Sequence, residues 1–250
     1  MSGHSKWSTI KRKKGVLDKK RGKIFTRILK DINIAIKEGG SSDPDANPRL
    51  RLAIANAKGA NMPKDNITRA IKKAEDKGGD SYQETTYEGY GPGGIALFVE
   101  ASTDNLNRTI ANVRAIFSKY EGSLGTNGSL EFIFDRKGVF EIPRSVIREY
   151  GVEDFEMELI EGGAEEFDRD EDFLTVYTSF EDFGLMQKKL EELNVEPENQ
   201  ELQRIPKTTQ EVDLETGKKV LLIIEKFEDD DDVNNVWHNL EMTEELEELM

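Results

Sequence analysis

The amino-acid sequence predicts an α+β multidomain protein in which an N-terminal three-helix region precedes two α/β regions. The chain has 250 residues, which exceeds the roughly 100–150 residues of a typical single domain. Apolar residues recur at helical spacing in the first part, whereas short apolar runs alternate with helical patterns from Thr86 onward. A Gly78-Gly79 pair separates the two patterns, so the first domain is expected to cover residues 1–80.

Three amphipathic helices are predicted in this first domain. The first begins near Lys19, ends at Gly39-Gly40, and is expected to bury isoleucines at every fourth position from 24 to 36. A turn with two prolines leads into a second helix from about Arg49. Asn61-Met62-Pro63 opens the third helix, because proline suits a first helical turn. Before them, Ser2 to about Asp18 lacks apolar periodicity and is predicted to be a mobile or loosely ordered basic arm.

The next region is predicted to combine strands with one helix. Ile95–Ala101 is a nearly continuous apolar run of the kind found in buried strands. Asp104 or Asn105 can cap a helix that carries its apolar residues on one face. Further strands are predicted over Ser129–Asp135, where apolar residues alternate with polar ones, and over Val139–Ile142.

Residues 139–206 are predicted to form an acidic βαβαβ-like unit. Its two helices are expected near Asp154–Phe167 and Phe180–Leu193, and two of its strands near Phe173–Tyr177 and Gln200–Ile205. A helix around Glu215–Phe227 and a short strand over Val233–His238 then precede an acidic tail.

Charge is divided unequally along the chain. Residues 1–80 contain 20 Lys and Arg against 9 Asp and Glu, and residues 81–250 contain 15 against 41, so a net of +11 is followed by a net of −26. Residues 1–30 alone hold 11 basic residues and a single acid, Asp18. Counterion release from phosphates rewards such clustering, whereas solubility does not require it. The N-terminal domain is therefore predicted to bind nucleic acid.

The composition excludes several classes of protein. Cysteine is absent, which removes disulfides, zinc–thiolate sites and thiol nucleophiles, and which fits a reducing cytosol. No apolar run approaches the roughly 20 residues of a membrane span, and no signal-peptide pattern is found. A cytoplasmic protein with no membrane partner is expected.

Motifs that suggest catalysis or metal binding fail on their context. A GxGxxG spacing begins at Gly89, but it precedes a strand instead of following one, so a glycine-rich turn is expected. A calcium-loop spacing begins at Asp168 but lacks the glycine and glutamate it needs, and Asp229–Asp232 is interpreted as an acidic loop. His4 and His238 have no visible catalytic partner. The sequence predicts no enzyme, no catalytic residue, no metal site, no cofactor and no small-molecule substrate.

Several long segments resemble the signatures of the YebC/PmpR family. In chain order they read GHSKW from Gly3, KRGKIF from Lys20, DPDANPRLR from Asp43, ANMPKDNI from Ala60 and YEGYGPGG from Tyr87. Shorter matches continue to the end of the chain, at Thr103-Asp104-Asn105, Asn107-Arg108-Thr109, Val113-Arg114, Leu124-Gly125 and Asp231-Asp232-Val233. The chain is therefore identified as a member of this family. Tyr120-Glu121 departs from the more glycine-rich turn expected there.

The resemblance implies three domains, with the second α/β domain inserted into the first. The expected boundaries are residues 1–80 for the helical domain, 81–137 with 207–250 for one α/β domain, and 138–206 for the inserted acidic one. The resemblance also implies a cytoplasmic, DNA-binding transcriptional regulatory protein. The alternative is a ribosome-associated translation factor that binds ribosomal RNA through the same basic surface. A protein-interaction scaffold built on the acidic domains is a third interpretation.

The residues expected to contact phosphates are basic and lie mainly in the arm and the first helix: Lys6, Lys11, Arg12, Lys13, Lys14, Lys19, Lys20, Arg21, Lys23, Arg49 and Arg51. On the third helix, further phosphate contacts are predicted at Lys64, Arg69, Lys72 and Lys73. Phosphate contacts position a protein without reading sequence, and beyond Asn66 this helix offers little that suits a base edge. The sequence leaves open the choice between DNA and ribosomal RNA, the regulated gene and the oligomeric state.

Overall fold

The computed structural model describes residues 17–76, 81–147 and 151–248, and for residues 17–21 and 152 it describes the backbone only. The predicted basic arm lies almost entirely outside this range. The chain divides into two compact units. The first unit comprises the described residues up to Lys23, Asp76–Asp135 and the chain from Ile205 onward; the second comprises Ile24–Glu75 and Arg136–Arg204. Within the described ranges, no helix has the length and apolar character needed to cross a membrane.

The elements follow one another as α1 (Leu17–Gly39), α2 (Pro48–Gly59), α3 (Lys64–Glu75), β1 (Gln83–Tyr90), β2 (Ala96–Thr103), α4 (Leu106–Lys119), β3 (Ser123–Leu124), β4 (Phe134–Pro143), α5 (Val152–Glu161), β5 (Ala164–Arg169), β6 (Phe173–Ser179), α6 (Phe183–Glu192), β7 (Asn199–Pro206), α7 (Leu214–Asp229), β8 (Val233–His238) and α8 (Glu244–Glu247). The strands form two four-stranded antiparallel sheets, in the orders β3-β1-β2-β8 and β5-β6-β4-β7. This architecture confirms the predicted α+β class.

The three predicted N-terminal helices are confirmed, and one buried asparagine joins two of them. Asn47 caps α2, because its Oδ1 accepts the backbone N–H of Leu50 at 3.1 Å. Its Nδ2 donates to the carbonyl oxygens of Ala35 at 2.7 Å and Ser41 at 2.9 Å. The core between the helices contains Ile28, Ile32, Ala35, Ile36, Leu50, Ala53, Ala57, Met62, Ile67 and Ala74.

The isoleucine repeat of α1 predicts its buried face only in part. Ile28, Ile32 and Ile36 are buried, but Ile24 is 46% exposed, so the expectation for Ile24 is wrong. An α-helix turns once in 3.6 residues, and a strict four-residue repeat therefore rotates by about 40° at each step. Three steps carry Ile24 well away from the direction in which Ile36 points.

The first unit contains one sheet together with α4 and α7. Apolar residues of the central strand β2 pack with both helices, and the rings of Phe117 and Phe227 meet edge to face at 4.9 Å between centroids. β8 pairs with β2 in antiparallel register, with Phe98 opposite Trp237. The whole second sheet lies between these strands in the sequence. Their pairing confirms that one α/β region is inserted into the other.

The inserted sheet has the β-α-β-β-α-β order of a ferredoxin-like fold, so the predicted βαβαβ order is wrong. The helix predicted over Asp154–Phe167 ends at Glu161, because Gly162-Gly163 follows and Gly163 adopts a φ of 92°. The residues beyond form β5, which pairs antiparallel with β6. Apolar spacing alone did not distinguish a helix from a helix followed by a strand.

Two further differences from the prediction involve the strand β1 and the buried carboxylate of Glu88 that it carries. Glu88 lies in β1, a strand that was not predicted because its residues are mostly polar. The Glu88 side chain accepts backbone N–H groups of Gly128 and Leu130 at 2.6 Å each. These bonds hold the chain in a turn, so the strand predicted over Ser129–Asp135 is wrong up to the start of β4, and a short 3-10 helix occupies Glu131–Ile133.

In the second unit, α2 lies against the edge strand β7. Asn56 donates from Nδ2 to the carbonyl oxygen of Gln200 at 2.8 Å and accepts the Gln200 N–H on Oδ1 at 3.2 Å. One side chain thus satisfies both backbone groups of an edge residue, as a neighbouring strand would. The approach is close, since a Cβ added to Gly59 would lie 2.0 Å from the carbonyl oxygen of Glu198.

The predicted domain boundaries at residues 80, 137 and 206 stay a prediction. Three of the four unit boundaries fall within a few residues of them, at Asp76, Arg136 and Ile205, whereas the fourth follows Lys23 inside α1. The helices α2 and α3 and most of the inserted sheet belong to one compact unit, so its packing ties the N-terminal helices to the ferredoxin-like fold.

Candidate nucleic-acid interface

The predicted phosphate contacts differ in how much of them the structure describes. Five lie outside the described residues, namely Lys6, Lys11, Arg12, Lys13 and Lys14. Three lie in the first two turns of α1, where only the backbone is described, namely Lys19, Lys20 and Arg21. Side chains are described for Lys23, Arg49 and Arg51, and each of them has a different environment.

Lys23 is directed at the acidic end of α7 within the first unit. Its Nζ donates to the backbone carbonyl oxygen of Glu228 at 2.6 Å and lies 3.9 Å from the carboxylate of Asp229. The Lys23 side chain keeps 45% of its surface exposed. A phosphate bound here would share the ammonium with the Glu228 carbonyl oxygen and would approach the negative charge of Asp229.

Arg49 and Arg51, both on α2, have opposite surroundings. Arg49 donates from Nη1 to the Glu38 carboxylate of α1 at 2.5 Å, so its charge is already partly neutralised. Arg51 is exposed, and its guanidinium makes no hydrogen bond or ion pair with any part of the chain that the structure describes. Of the three predicted contacts with described side chains, Arg51 is the one most available to a phosphate.

Further exposed cations lie on α2 and α3. Lys58, Lys64 and Lys72 are exposed, and among the described residues none of their ammonium groups has a hydrogen-bond or ion-pair partner. Lys58 was not predicted as a contact, although it follows Arg51 by seven residues and two helical turns place both on one face. Lys64 and Lys72 are likewise two turns apart on α3. With Arg51, these side chains are termed the α2–α3 cations.

The one amide on α3 suited to reading a base is already engaged. Asn66 Oδ1 accepts from Nη2 of Arg69 at 2.6 Å, and Nε of Arg69 donates to the carbonyl oxygen of Asp65 at 3.2 Å. A bidentate contact with adenine would have to share Asn66 Oδ1 with Arg69. The exposed surface of α3 is therefore suited to phosphates more than to base edges.

The motifs rejected from the sequence have structural roles. Gly89 lies inside β1, and the following Pro92–Gly94 forms a 3-10 turn before β2, so this GxGxxG spacing does not lead into a helix N-terminus. Asp170 accepts the backbone N–H groups of Asp172 and Phe173 at 2.8 and 2.7 Å, which makes it a hairpin-turn residue. In the described ranges, no cluster of three His, Cys, Asp or Glu side chains is arranged to hold a metal ion.

Replacing Arg51 with alanine is expected to weaken nucleic-acid binding more than replacing Arg49. Loss of one phosphate contact should also make the plot of log K against log salt concentration shallower by about 0.7–0.9. Arg49→Ala is the matched control, because Arg49 is two residues away and bound to Glu38. Fluorescence anisotropy at four salt concentrations measures both effects, and unfolding curves should show little change for Arg51→Ala. Identical slopes for the two variants would count against a phosphate contact at Arg51.

Comparisons with known families match most of the chain. Residues 5–77 match the family described as the TACO1/YebC protein N-terminal domain. Residues 82–240 match the family described as the TACO1/YebC second and third domain. The α2–α3 cations lie within the first of these matches.

Individual proteins are similar over nearly their full length. A protein of Amoebophilus asiaticus is 50% identical over 242 residues, which cover 96% of this chain and 98% of that protein. A protein of Chlorobaculum tepidum is 48% identical over 248 residues, which cover 98% and 97%. Both are named probable transcriptional regulatory proteins. The crystal structure of a conserved hypothetical protein from Aquifex aeolicus superposes with a TM-score of 0.80 at 40% identity, covering 91% of this chain and 93% of that chain.

Proposed function

Because this chain belongs to the TACO1/YebC family, we propose that it is a DNA-binding transcriptional regulatory protein without enzymatic activity. The family relatives named above carry the words transcriptional regulatory protein. The observation that carries the proposal to this chain is the set of exposed α2–α3 cations, in a region whose sequence is strongly basic. Lys and Arg side chains without a partner gain most from meeting phosphates, because bound counterions are released.

The proposal of a non-enzymatic role rests on which reactive side chains the chain contains and where they lie. No cysteine is present, so a thiol nucleophile is impossible. His238 lies in β8 with 1% of its surface exposed, which keeps it away from any substrate at the surface. The cysteine-free composition also suits the reducing cytoplasm, where we place the protein.

A second candidate function is that of a translation factor bound to ribosomal RNA. The observation that favours it is the engagement of Asn66 with Arg69, which leaves α3 with phosphate contacts in place of base contacts. Double-stranded RNA is recognised largely by shape and by its backbone, and such a surface would serve that purpose. The basic surface is the same in both candidates, and only the target differs.

Competition among three targets tests the proposal. Crosslinking in cells, followed by sequencing of DNA and RNA, first supplies a bound promoter fragment. That labelled fragment is then competed at near-physiological salt with random duplex of equal length and with purified ribosomes. We expect the promoter to exceed random duplex by about 10³-fold or more, as specific regulators do. A ratio near one with ribosomes as the strongest competitor would replace the proposal with the translation factor. Binding to none of the three would leave the scaffold interpretation.

A further inference from the structure

The acidic end of α7 holds a lysine that was predicted to contact phosphate. Five consecutive acids, Glu228 to Asp232, occur where α7 ends, and Lys23 contacts the backbone carbonyl oxygen of the first and lies near the carboxylate of the second. Lys23 and these acids all belong to the first unit. Lys23 also follows the most basic stretch of the chain, since residues 1–30 hold 11 basic residues and one acid.

The carboxylates at this end of α7 have different roles. Asp230 accepts from Nδ2 of Asn112 at 3.1 Å and from the backbone N–H of Asp232 at 2.9 Å, which fixes the turn. Asp229 accepts from Lys226 at 3.1 Å on one oxygen, while its other oxygen faces Lys23. The side chains of Asp229 and Asp231 are exposed. Neutralising these two side chains leaves in place Asp230, whose carboxylate fixes the turn.

Phosphate and this acidic segment compete for the same cation. A phosphate that binds Lys23 must approach the Asp229 carboxylate, which lies 3.9 Å from the same Nζ, and it competes with the carbonyl oxygen of Glu228 for the N–H groups of one ammonium. Like charges repel over roughly 10 Å at 0.1 M salt, so the approach is unfavourable while the contact is intact. The contact therefore lowers affinity for any polyanion at the start of α1.

We propose that the acidic end of α7 is an intramolecular docking surface for the basic start of α1, and that nucleic acid binds by displacing this contact. The inference rests on the proposed nucleic-acid binding and adds an autoinhibitory step to it. Affinity is then set by the difference between a phosphate and the acceptors at the end of α7, a carbonyl oxygen and a nearby carboxylate, as partners of the same lysine.

Neutralising Asp229 and Asp231 together, by Asp229→Asn and Asp231→Asn, tests the proposal in the full chain. We expect affinity for duplex DNA or ribosomal RNA to rise about three- to tenfold at 50 mM salt and the gain to fade near 0.5 M. The control pair is Glu171→Gln with Asp172→Asn, because both are exposed in the turn between β5 and β6 and remove the same charge. An equal gain from the control pair would mean general repulsion and would overturn the proposal.

Making the same substitutions of Asp229 and Asp231 in a Lys23→Ala chain distinguishes an effect of the Lys23 contact from a general effect of negative charge. The gain is expected to fall to the level of the control pair, because the cation that the acids hold is gone. An undiminished gain would overturn the docking surface.

A further readout uses the absence of native cysteines: Lys23→Cys with Asp229→Cys should be joined by a short bifunctional maleimide, which spans more than a disulfide does, and less so with saturating nucleic acid. Absence of the crosslink, or a crosslinked chain that binds as well as the uncrosslinked one, would contradict the inference. If the unmodified chain bound no nucleic acid, the proposed function would fail together with this competition, even if the crosslink formed.

Discussion

Replacing Asp232 with alanine is expected to lower the free energy of unfolding of the first unit by about 2–3 kcal/mol. Asp232 is buried, and its carboxylate accepts from Arg108 at 2.8 Å, from Thr109 at 2.8 Å and from Thr103 at 3.1 Å. Thr103 and Thr109 are themselves at most 1% exposed, so removing the carboxylate takes a hydrogen-bond acceptor away from two buried hydroxyl groups. The network joins the end of β2 and the start of α4 to the turn before β8, which are far apart in the sequence.

Urea denaturation followed by tryptophan fluorescence measures this change. Trp237 lies in β8 and is 5% exposed, and a Trp7→Phe background makes it the sole tryptophan of the chain. The matched control is Asp104→Asn, because Asp104 accepts from the same Arg108 at 2.7 Å where both side chains are 47% exposed. An exposed pair of this kind contributes less than about 1 kcal/mol. Equal losses in the two variants would contradict the role assigned to burial.

The effect of Asp232 should also depend on pH. Burial acts to raise the pKa of Asp232, but hydrogen bonds from Arg108, Thr109 and Thr103 outweigh it and hold the pKa below the ordinary value. A carboxyl whose pKa is lowered on folding stabilises the protein above its unfolded pKa, about 3.9, and loses that contribution as pH falls through the folded value. The difference between the native chain and Asp232→Ala should therefore be constant from pH 5 to 7 and shrink below about pH 4.

The elements that the sequence predicts are those whose own residues show apolar periodicity or supply a capping side chain. The predicted cap of α4 is present, since the Asn105 side chain accepts the backbone N–H of Arg108 at 3.1 Å. The residues of β1 show no apolar periodicity. This strand is held in place by pairing with β2 and β3. Gly89 allows that pairing, since a Cβ there would lie 2.4 Å from the carbonyl oxygen of Ser123. Requirements of this kind arise only when distant segments meet, and periodicity does not reveal them.

The candidate interface likewise has features that the sequence predicts and features that depend on the fold. A count of charges was sufficient to select the N-terminal region, and helical spacing could have added Lys58 to Arg51. The different environments of Arg49 and Arg51 could not be predicted, because Glu38 reaches Arg49 only when α1 packs against α2. The contact of Lys23 with Glu228 joins residues 205 positions apart. How far each cation is available to a phosphate therefore depends on partners that only the folded chain supplies.

Replacing Gly59 with alanine is expected to destabilise the second unit by about 1–3 kcal/mol. The new Cβ would lie 2.0 Å from the carbonyl oxygen of Glu198, and this oxygen belongs to the backbone and cannot rotate away. The C-terminal end of α2 must then shift away from β7, which strains the paired hydrogen bonds of Asn56 with Gln200. Without the clash the sign would be opposite, since alanine is favoured over glycine in a helix by about 1 kcal/mol.

Hydrogen exchange measured by mass spectrometry locates the expected change, with loss of protection in α2 and β7 and little change in the first unit. Gly184→Ala is the matched control, because Gly184 lies in α6 of the same unit and nothing comes within 4 Å of its added Cβ. It should be neutral or slightly stabilising. Because Arg51 and Lys58 are carried by α2, Gly59→Ala should also weaken nucleic-acid binding without removing a charge. Unchanged protection in α2 would show that the helix does not need this close approach to the backbone at Glu198. Reduced protection with unchanged affinity for nucleic acid would show that packing against β7 does not position the α2–α3 cations.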